Sequence, residues 1–358
     1  MIKKVLVDLS ALCDIYSGFG QVALGYINYF QQHYNPDTSG YKLYLLLPQN
    51  FFGVLGNKAT YLSSDSWWLR HSMYLFPQVD VWHSIHQLSR FRPYSSKTQY
   101  ILTIHDLNYL YEKEYKAKCS KIHRRLQRKI DIASNIVCIS EFARNDVRQN
   151  FDLKGKNSNV IYNQVKSLDK LMGVKPKYYI KQPFFFAIGV IMEKKNFHVL
   201  LDLIKRYPDK HLYIAGKEHY VANLCSPYAE MIKERIRKEN INNVTLLGAV
   251  SEEEKIWLYD NCEALLMPSL LEGFGLPMIE AMQFGKPVFS SNKTSLPEIG
   301  NRFAFFWDNF DTDSMQKVLD DNLANFYANP NFIAEQINYA KAFTTNRHFE
   351  EYEQLYKQ

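Results

Sequence analysis

Residues 261–300 read NCEALLMPSLLEGFGLPMIEAMQFGKPVFSSNKTSLPEIG. The apolar run near the start of this stretch predicts a buried strand that ends at Pro268 and Ser269. The loop Glu272-Gly273-Phe274-Gly275 follows it. We expect a helix after the loop with Pro277 in its first position, where the missing N–H of proline costs nothing. The stretch therefore predicts a strand, a glycine-bearing loop and a helix, the repeating unit of an α/β domain.

The predicted loop has the features of an anion site. Gly273 and Gly275 permit a positive φ and a close approach of the backbone, so N–H groups can point at a ligand oxygen. The N-terminus of the following helix adds partial positive charge at the same place. The loop also follows the carboxyl end of a predicted parallel strand, which is where open α/β sheets bind ligands. We therefore predict a pocket for an anionic ligand.

Two carboxylates flank this pocket. Glu272 lies in the loop and Glu280 lies about one turn into the helix, and both can accept hydrogen bonds from the hydroxyl pairs of a sugar or a ribose. The alternative is that both are exposed first-turn glutamates favoured by the helix dipole. The Glu-x7-Glu spacing alone is common by chance. The strand, the glycines and the proline around it favour a binding site.

The same alternation of short apolar runs and longer amphipathic segments continues through the 358 residues, which is typical of two domains built from βαβ units. Predicted strands cover 4–9, 42–47, 79–83, 100–105, 136–140, 159–162, 184–189, 211–216, 244–248, 264–268, 287–290 and 303–307. Predicted helices include 19–33, 118–133 and 141–150. We expect an N-terminal domain over 1–170, a linker over 171–183, a C-terminal domain over 184–330, and a helical segment over 331–358 that crosses back to the N-terminal domain.

The composition is that of a soluble enzyme, with 46% apolar and 22% charged residues. The net charge of +6 favours anionic ligands but is far too small for a nucleic-acid-binding protein. The five cysteines are scattered, which predicts neither a zinc site nor disulfides and fits a reducing cytosol. The longest apolar run, 184–192, is too short to cross a bilayer. We expect a cytoplasmic protein that is not integral to the membrane.

The stretch 261–300 resembles the Glu-x7-Glu signature of the retaining glycosyltransferase family 4. The resemblance implies the GT-B fold, in which two Rossmann-like α/β domains face each other across a cleft. It implies that Glu272 lies against the donor sugar and that Glu280 holds the ribose hydroxyls. The backbone amides of Gly273, Phe274, Gly275 and Leu276 would cradle the diphosphate.

A second stretch, residues 184–196, reads FFFAIGVIMEKKN and predicts a buried strand, a glycine turn, and Lys194 and Lys195 at the start of a helix. Lysines at a helix N-terminus oppose its dipole, so a bound anion is expected there; two solvated lysines are the alternative. The stretch resembles the strand-Gly…Lys-Asn element of the same family, which places Lys195 on the β-phosphate. Many members carry Arg directly after the glycine, where this chain has Val190.

The N-terminal half carries weaker matches to the same family. His105, at the end of a predicted strand and followed by Asp106, resembles the histidine that approaches the donor sugar from the N-terminal domain. Gly18 and Gly20 resemble the first loop, which closes over the diphosphate. On residue type alone, a lone strand-end histidine is more often structural and a lone glycine pair is more often a turn.

The resemblance implies retaining transfer of a hexosyl group from a GDP- or UDP-linked donor to a glycan or lipid-linked acceptor, as in surface polysaccharide synthesis, without a cofactor or a metal. The overall pattern is similar to bacterial mannosyltransferases of group 1, so mannosyl is the favoured group.

Asp311-Thr312-Asp313 could belong to a metal site, but a helix N-cap accounts for it. Rival functions are a sugar-nucleotide epimerase or phosphorylase of the same fold, and a non-catalytic sugar-nucleotide-binding subunit. An NAD-linked oxidoreductase lacks the third glycine of its fingerprint.

The basic stretch 113–129 contains eight lysines and arginines and is open to two interpretations. A solvated helix face is the commoner explanation for such a run. The sharper alternative is docking to anionic lipid headgroups at the inner face of the cell membrane, with Trp67 and Trp68 as anchors.

Overall fold

The computed structural model describes residues 2–15, 17–112, 116–168, 171–179, 182–218, 220–221 and 224–358. These residues form two compact units. The first contains the chain up to Gln164 together with Thr345–Gln358, and the second contains Val165–Thr344. Residues 180 and 181 of the predicted linker, and Lys113 of the basic stretch, lie outside the described residues.

The first unit is built on a parallel sheet with the strand order β3-β2-β1-β4-β5-β6-β7 among its described residues. Its strands are β1 (Lys3–Asp8), β2 (Tyr41–Leu47), β3 (Thr60–Ser63), β4 (Val81–Ser84), β5 (Gln99–Ile104), β6 (Asn135–Cys138) and β7 (Ser158–Val160). Its α-helices are α1 (Gly18–His33), α2 (Trp67–His71), α3 (Cys119–Ile132), α4 (Glu141–Asn150) and, from the chain's end, α12 (Arg347–Lys357).

The second unit has a parallel sheet with the order β12-β9-β8-β13-β14-β15 and a small antiparallel pair, β10-β11. Its strands are β8 (Phe184–Ile188), β9 (His211–Ala215), β10 (Tyr220–Val221), β11 (Leu224–Cys225), β12 (Val244–Gly248), β13 (Ala264–Met267), β14 (Val288–Ser291) and β15 (Ala304–Trp307). Its α-helices are α5 (His198–Ile204), α6 (Pro227–Lys238), α7 (Glu252–Asn261), α8 (Leu276–Gln283), α9 (Leu296–Gly300), α10 (Thr312–Tyr327) and α11 (Pro330–Ala342).

The strands are hydrophobic on both faces because helices cover both sides of each sheet. In β1, Val5 and Val7 join one buried cluster, which includes residues of α1 and α12, whereas Leu6 joins another cluster with residues of α3. Strands covered on both faces read as continuous apolar runs, which is why the sequence shows them clearly. The two sheets confirm the predicted α/β class with two Rossmann-like domains.

The predicted strands are all present, each within two residues of its predicted ends. The strand missed by the sequence in the first unit is β3, which is partly exposed along its length and therefore lacks the apolar run that marks its neighbours. The predicted helical segment 331–358 consists of two helices, of which α11 lies in the second unit and α12 in the first.

The last helix, α12, is joined to the first unit by buried hydrogen bonds as well as by packing. The ring of His83 in β4 contacts the Tyr356 hydroxyl at 2.7 Å through Nδ1 and the Thr103 hydroxyl at 2.9 Å through Nε2. Thr103 in turn lies 2.7 Å from the Tyr352 hydroxyl. The C-terminal residues therefore belong to the core of the first unit.

Candidate active site

The strand order of the second unit creates a ligand-binding edge. β8 lies between β9 and β13, so the connections leave β8 and β13 in opposite directions and the loops that follow these strands emerge side by side. Such a switch point, at the carboxyl ends of parallel strands, is where open α/β sheets bind ligands. The loop after β8 carries Lys195 and the loop after β13 carries Glu272.

The side chain of Lys195 packs against Gly189, which is itself closely approached by Gly216. A Cβ atom built on Gly189 would lie 2.9 Å from Lys195 Cε and 3.3 Å from its Nζ, and Gly189 has a φ of +151°. A Cβ atom on Gly216, at the end of the next strand, would lie 1.9 Å from the Gly189 carbonyl oxygen. Side chains at these two positions would displace the lysine or the backbone beneath it, which is why this site is built on glycine.

The local structure around Lys195 corrects one prediction. Lys194 and Lys195 do not begin an α-helix; they end a one-turn 3-10 helix, Glu193–Lys195. Asn196 then adopts a left-handed conformation with a φ of +58°, and α5 begins at His198. Asn tolerates this conformation because its short polar side chain can hydrogen-bond locally. The predicted conflict between these lysines and a helix dipole is therefore absent.

The Lys195 ammonium and the Glu272 carboxylate form an ion pair with 2.5 Å between Nζ and Oε1. Both side chains are only 14% exposed. Lys195 and Glu272, to which the family resemblance assigns the donor's β-phosphate and sugar, are thus brought together at the switch point. Because both side chains are largely buried, salt screens this ion pair less than it screens a pair on the surface.

The loop after β14 supports the Glu272 loop. The Glu272 N–H donates to Thr294 Oγ1 at 3.1 Å, and Ser295 Oγ donates to the carbonyl oxygens of Glu272 and Phe274 at 3.0 and 3.2 Å. Thr294 has a φ of +53°, which is uncommon for a β-branched residue. Neither Thr294 nor Ser295 could be singled out from the sequence, because their contacts depend on the pairing of β13 with β14.

Helix α8 begins directly after this loop. Gly275 is its N-cap and has a φ of +104°, which confirms the predicted positive φ at that position. A Cβ atom there would lie 2.7 Å from Leu296 Cδ2. The helix begins at Leu276, so Pro277 occupies its second rather than its first position. The first N–H groups of a helix have no acceptor within it, so this end of α8 favours an anion.

Glu280 is held by two residues of the preceding helix. Its Oε1 accepts from Lys255 Nζ at 2.7 Å and its Oε2 accepts from the Tyr259 hydroxyl at 2.7 Å. Burial and the neighbouring carboxylate raise the pKa of Tyr259, so its hydroxyl remains a donor. Burial alone would lower the pKa of Lys255, but the charge of Glu280 raises it overall. Neither residue was predicted, although their i, i+4 spacing places them on one face of α7.

In the first unit, His105 is buried directly after β5. Its Nε2 lies 2.8 Å from the Ile85 carbonyl oxygen, and its backbone N–H donates to Gln87 Oε1 at 3.1 Å. Burial lowers the pKa of His105 to about 4, so the imidazole is neutral near pH 7. Because a carbonyl only accepts, Nε2 carries the proton. The ring of Phe19, from the start of α1, meets His105 edge-on at 4.9 Å between centroids.

The predicted glycine loop of the first unit forms the start of α1. Ser17 is the N-cap, and its hydroxyl accepts from the Gly20 N–H at 3.0 Å. A Cβ atom on Gly20 would lie 2.0 Å from the Asp14 carbonyl oxygen, whereas nothing lies within 4 Å of one on Gly18. Gly20 is therefore required for local packing, and Gly18 is open to its surroundings within the described structure.

The described residues contain no group of three or more His, Cys, Asp or Glu side chains placed to hold a metal ion. Asp311 is the N-cap of α10 and accepts from the Ser314 N–H at 3.1 Å, which confirms the predicted cap. Asp313 pairs with Arg206 at 2.7 Å. Across the described chain, none of the helices has the length and apolar character needed to span a membrane.

Known proteins resemble this chain in sequence. Residues 174–342 match the family described as glycosyl transferases group 1. The O-antigen chain mannosyltransferase RfbU of Salmonella typhimurium is 25% identical over 222 residues, which cover 61% of this chain and 59% of that protein. The O-antigen chain mannosyltransferase B of Escherichia coli is 27% identical over 246 residues, 62% of each chain. The matches thus span less than two thirds of these relatives.

Solved structures share the fold over nearly the whole chain. A sucrose-phosphate synthase from Thermosynechococcus elongatus aligns over 99% of this chain and 98% of its own, with a TM-score of 0.72 and 15% identity. Anabaena HepE in complex with UDP-glucose aligns over 99% of this chain and 100% of its own, again with a TM-score of 0.72 and 15% identity. At this identity the likeness is one of fold, and each unit by itself is a Rossmann-like α/β domain.

Proposed function

We propose that the chain, whose residues 174–342 match the group 1 glycosyl transferases, transfers a hexosyl group from a nucleotide diphospho-sugar to an acceptor hydroxyl. The group is mannosyl, the donor is linked to GDP or UDP, and the anomeric configuration is retained. The acceptor is a glycan or a lipid-linked glycan of surface polysaccharide synthesis. The O-antigen mannosyltransferases among the relatives support the sugar and the pathway class.

The observation that carries this proposal is the Lys195–Glu272 pair at the switch point of the second unit. A donor pyrophosphate seated at the N-terminus of α8 would compete with Glu272 for the ammonium of Lys195. Glu272 would then be released to accept hydroxyls of the donor sugar. The pair thus holds two binding groups in place before the donor arrives.

Lys195 also contributes to the chemical step. The bond between the sugar C1 and the β-phosphate oxygen breaks, and negative charge develops on the leaving nucleoside diphosphate. The Lys195 ammonium and the N–H groups at the start of α8 stabilise that charge from fixed positions. The acceptor oxygen forms the new bond to C1 on the same face, and its proton passes to the leaving phosphate oxygen. The proposed mechanism uses no protein nucleophile.

Glu280 is suited to the ribose of the donor. A carboxylate has about four lone-pair sites, and Lys255 and Tyr259 use one on each oxygen. The remaining sites can accept from the two ribose hydroxyls. Because the two existing donors fix the carboxylate, little side-chain entropy is lost when the nucleotide binds.

The N-terminal residues are assigned to the sugar and acceptor side. His105 is neutral, and its Nε2–H donates a hydrogen bond to the Ile85 carbonyl oxygen. Its Nδ1 is therefore an acceptor for a sugar hydroxyl. Gly18 and Gly20 stand at the N-terminus of α1, where a diphosphate could be covered. We propose that the protein acts in the cytoplasm.

The experiment measures nucleotide-sugar binding first and transfer second. A thermal-shift panel of GDP-, UDP-, ADP- and CDP-linked sugars identifies the donor, and a GDP- or UDP-linked sugar is expected to give the largest shift. Incubation with the chosen donor and a glycan acceptor should then yield a product of retained configuration. Conversion of the donor without an acceptor would instead show an epimerase. Tight binding without any turnover would show a non-catalytic subunit.

A further inference from the structure

The segment that follows β4 lies at the corresponding ligand edge of the first unit. In its sheet β1 lies between β2 and β4, so the switch point is at the carboxyl ends of β1 and β4. Residues 88–94 follow this point and have no regular secondary structure. We refer to these seven residues as the arginine strip. None of its residues belongs to the donor site of the second unit.

Side chains of the arginine strip alternate between the interior and solvent. Ser89, Phe91 and Pro93 are buried. The intervening side chains are exposed, and they are Leu88, Arg90, Arg92 and Tyr94. The solvent face therefore presents two guanidinium groups in the middle with an apolar or aromatic side chain at each end.

Helix α3 fixes the strip from beneath with two cations. The guanidinium of Arg125 donates to the Ser89 carbonyl oxygen at 2.7 Å. The ammonium of Lys129, which is only 1% exposed, donates to the same oxygen at 2.6 Å and to the Gln87 carbonyl oxygen at 3.2 Å. Ser89 is also anchored through its hydroxyl, which donates to Asp8 at the end of β1. Hydrogen bonds to α3 and β1 therefore hold the backbone of the strip in place.

Positive charge is concentrated around the strip. Within the described residues, Arg90, Arg92, Arg125 and Lys129 form no ion pair with a carboxylate. Burial, and then the charges of Arg90 and Arg92, lower the pKa of Arg125. Burial lowers the pKa of Lys129 to about 7; the charge of Asp8 opposes this effect, and the positive charges of Arg125 and Arg92 add to it. A bound anion would relieve this repulsion.

A neighbouring side chain provides a second, independent observation. His86, directly before the strip, is 8% exposed, and neither of its ring nitrogens has a hydrogen-bond partner among the described residues. Its ring stacks on Phe19 at 4.9 Å between centroids. Buried polar groups are nearly always hydrogen-bonded, so an unpartnered imidazole at a ligand edge points to a polar group supplied by a ligand.

We propose that Arg90, Arg92 and Arg125 bind a phosphate ester group of the acceptor at the carboxyl edge of the first unit's sheet. Planar guanidinium groups match phosphate oxygens in pairs, which an ammonium cannot do. The assignment of this phosphate to the acceptor rests on the proposed transferase function; the anion site itself does not.

The apolar ends of the strip select a lipid-linked phosphate. Leu88 is 41% and Tyr94 42% exposed, and the ring of Tyr94 lies 5.5 Å from that of Tyr74, which is 81% exposed. Aromatic and aliphatic side chains beside arginines are suited to the boundary between headgroups and acyl chains. The ligand is therefore a phosphate ester carried by a lipid, rather than by a soluble sugar.

The test measures binding of the full chain to phosphatidylcholine vesicles with and without phosphatidic acid, and separately to glycerol 3-phosphate in solution. The double variant Arg90→Ala with Arg92→Ala should weaken binding to phosphatidic acid vesicles by about tenfold or more, the loss of one or two charge-assisted hydrogen bonds. The matched control is Arg124→Ala with Arg128→Ala, which removes the same charge from exposed positions of α3 and should change binding less than about twofold.

Equal losses in both double variants would overturn the proposal, because net charge alone would then explain binding. No binding of the wild-type chain to either phosphate probe would also overturn it. Binding of glycerol 3-phosphate that depends on Arg90 and Arg92, without vesicle binding, would support the phosphate site and overturn its assignment to a lipid. Binding of GDP and UDP to the wild-type chain is measured separately, so failure of the donor site is distinguished from failure of this one.

Discussion

The ammonium of Lys195 and the carboxylate of Glu272 meet at 2.5 Å, although 77 positions separate them in the chain. They reach this distance because β8 and β13 are neighbours in the sheet and their following loops leave the same edge. The pair joins the group proposed to hold the β-phosphate to the group proposed to hold the sugar. Removing either should therefore affect the other.

Lys195→Ala should lower kcat/KM for transfer by about 100- to 1000-fold, the usual effect of removing one fixed group that stabilises developing negative charge. Circular dichroism should show an unchanged fold. The matched control is Lys238→Ala, since Lys238 is 71% exposed and pairs with Glu234 within α6. Near-wild-type transfer by Lys195→Ala would contradict the role assigned to this lysine.

Lys255→Met should raise the donor KM by about tenfold while changing kcat much less, because it frees the Glu280 carboxylate without removing it. Steady-state kinetics at saturating acceptor measure the two parameters separately. Methionine keeps most of the aliphatic packing of the lysine. A loss confined to kcat would show that Lys255 acts in the chemical step instead of positioning Glu280.

Gly216→Ala should destabilise the second unit by several kcal/mol, about the cost of an unavoidable backbone clash in a packed region. The added Cβ would lie 1.9 Å from the Gly189 carbonyl oxygen, at a φ of +144°. The matched control is Gly25→Ala in α1. The added Cβ would lie 3.4 Å from the ring of Phe349, an ordinary van der Waals distance. Urea denaturation compares the two variants. Equal stabilities would refute the close approach of the two strand ends.

The first unit should lose stability as the pH falls below about 6.5, the usual pKa of histidine in an unfolded chain. Burial lowers the pKa of His105 and of His348 to about 4 and that of His83 well below its ordinary value. Below pH 6.5 the unfolded chain therefore binds protons that the folded chain does not. Each histidine contributes up to about 1.4 kcal/mol per pH unit between pH 6.5 and 4.

The free energy of unfolding in urea, measured at several pH values in this range, checks that slope. His348→Gln should reduce the slope, because glutamine does not titrate, whereas His71→Gln at an exposed position of α2 should leave it unchanged. An identical slope in wild type and His348→Gln would show that other groups govern acid unfolding.

The sequence predicted those features that are local in the chain. The strands are visible because they are buried on both faces, and the Glu272 loop is visible because glycines, a proline and two glutamates fall within one stretch. The sequence could not predict Lys255, Tyr259 or Thr294, because their contacts with the site depend on which helices and loops the sheet brings together.

One error was also local. Lys194 and Lys195 were expected to begin a helix, but the left-handed turn at Asn196 places them one turn earlier. Asn occurs both in helices and in the left-handed conformation, so the sequence did not determine which one Asn196 adopts. The arginine strip could not be predicted from the sequence for a related reason. Its alternation resembles that of an ordinary half-buried segment, and its charge becomes significant only beside Arg125 and Lys129 of α3.

The most direct test is a crystal structure of the chain with GDP or UDP bound. We predict that the diphosphate lies between Lys195 Nζ and the N-terminus of α8, that the ribose hydroxyls contact Glu280, and that the 2.5 Å pair of Lys195 and Glu272 has opened. A nucleotide bound elsewhere, with that pair intact and side chains filling the space before Leu276, would contradict the account.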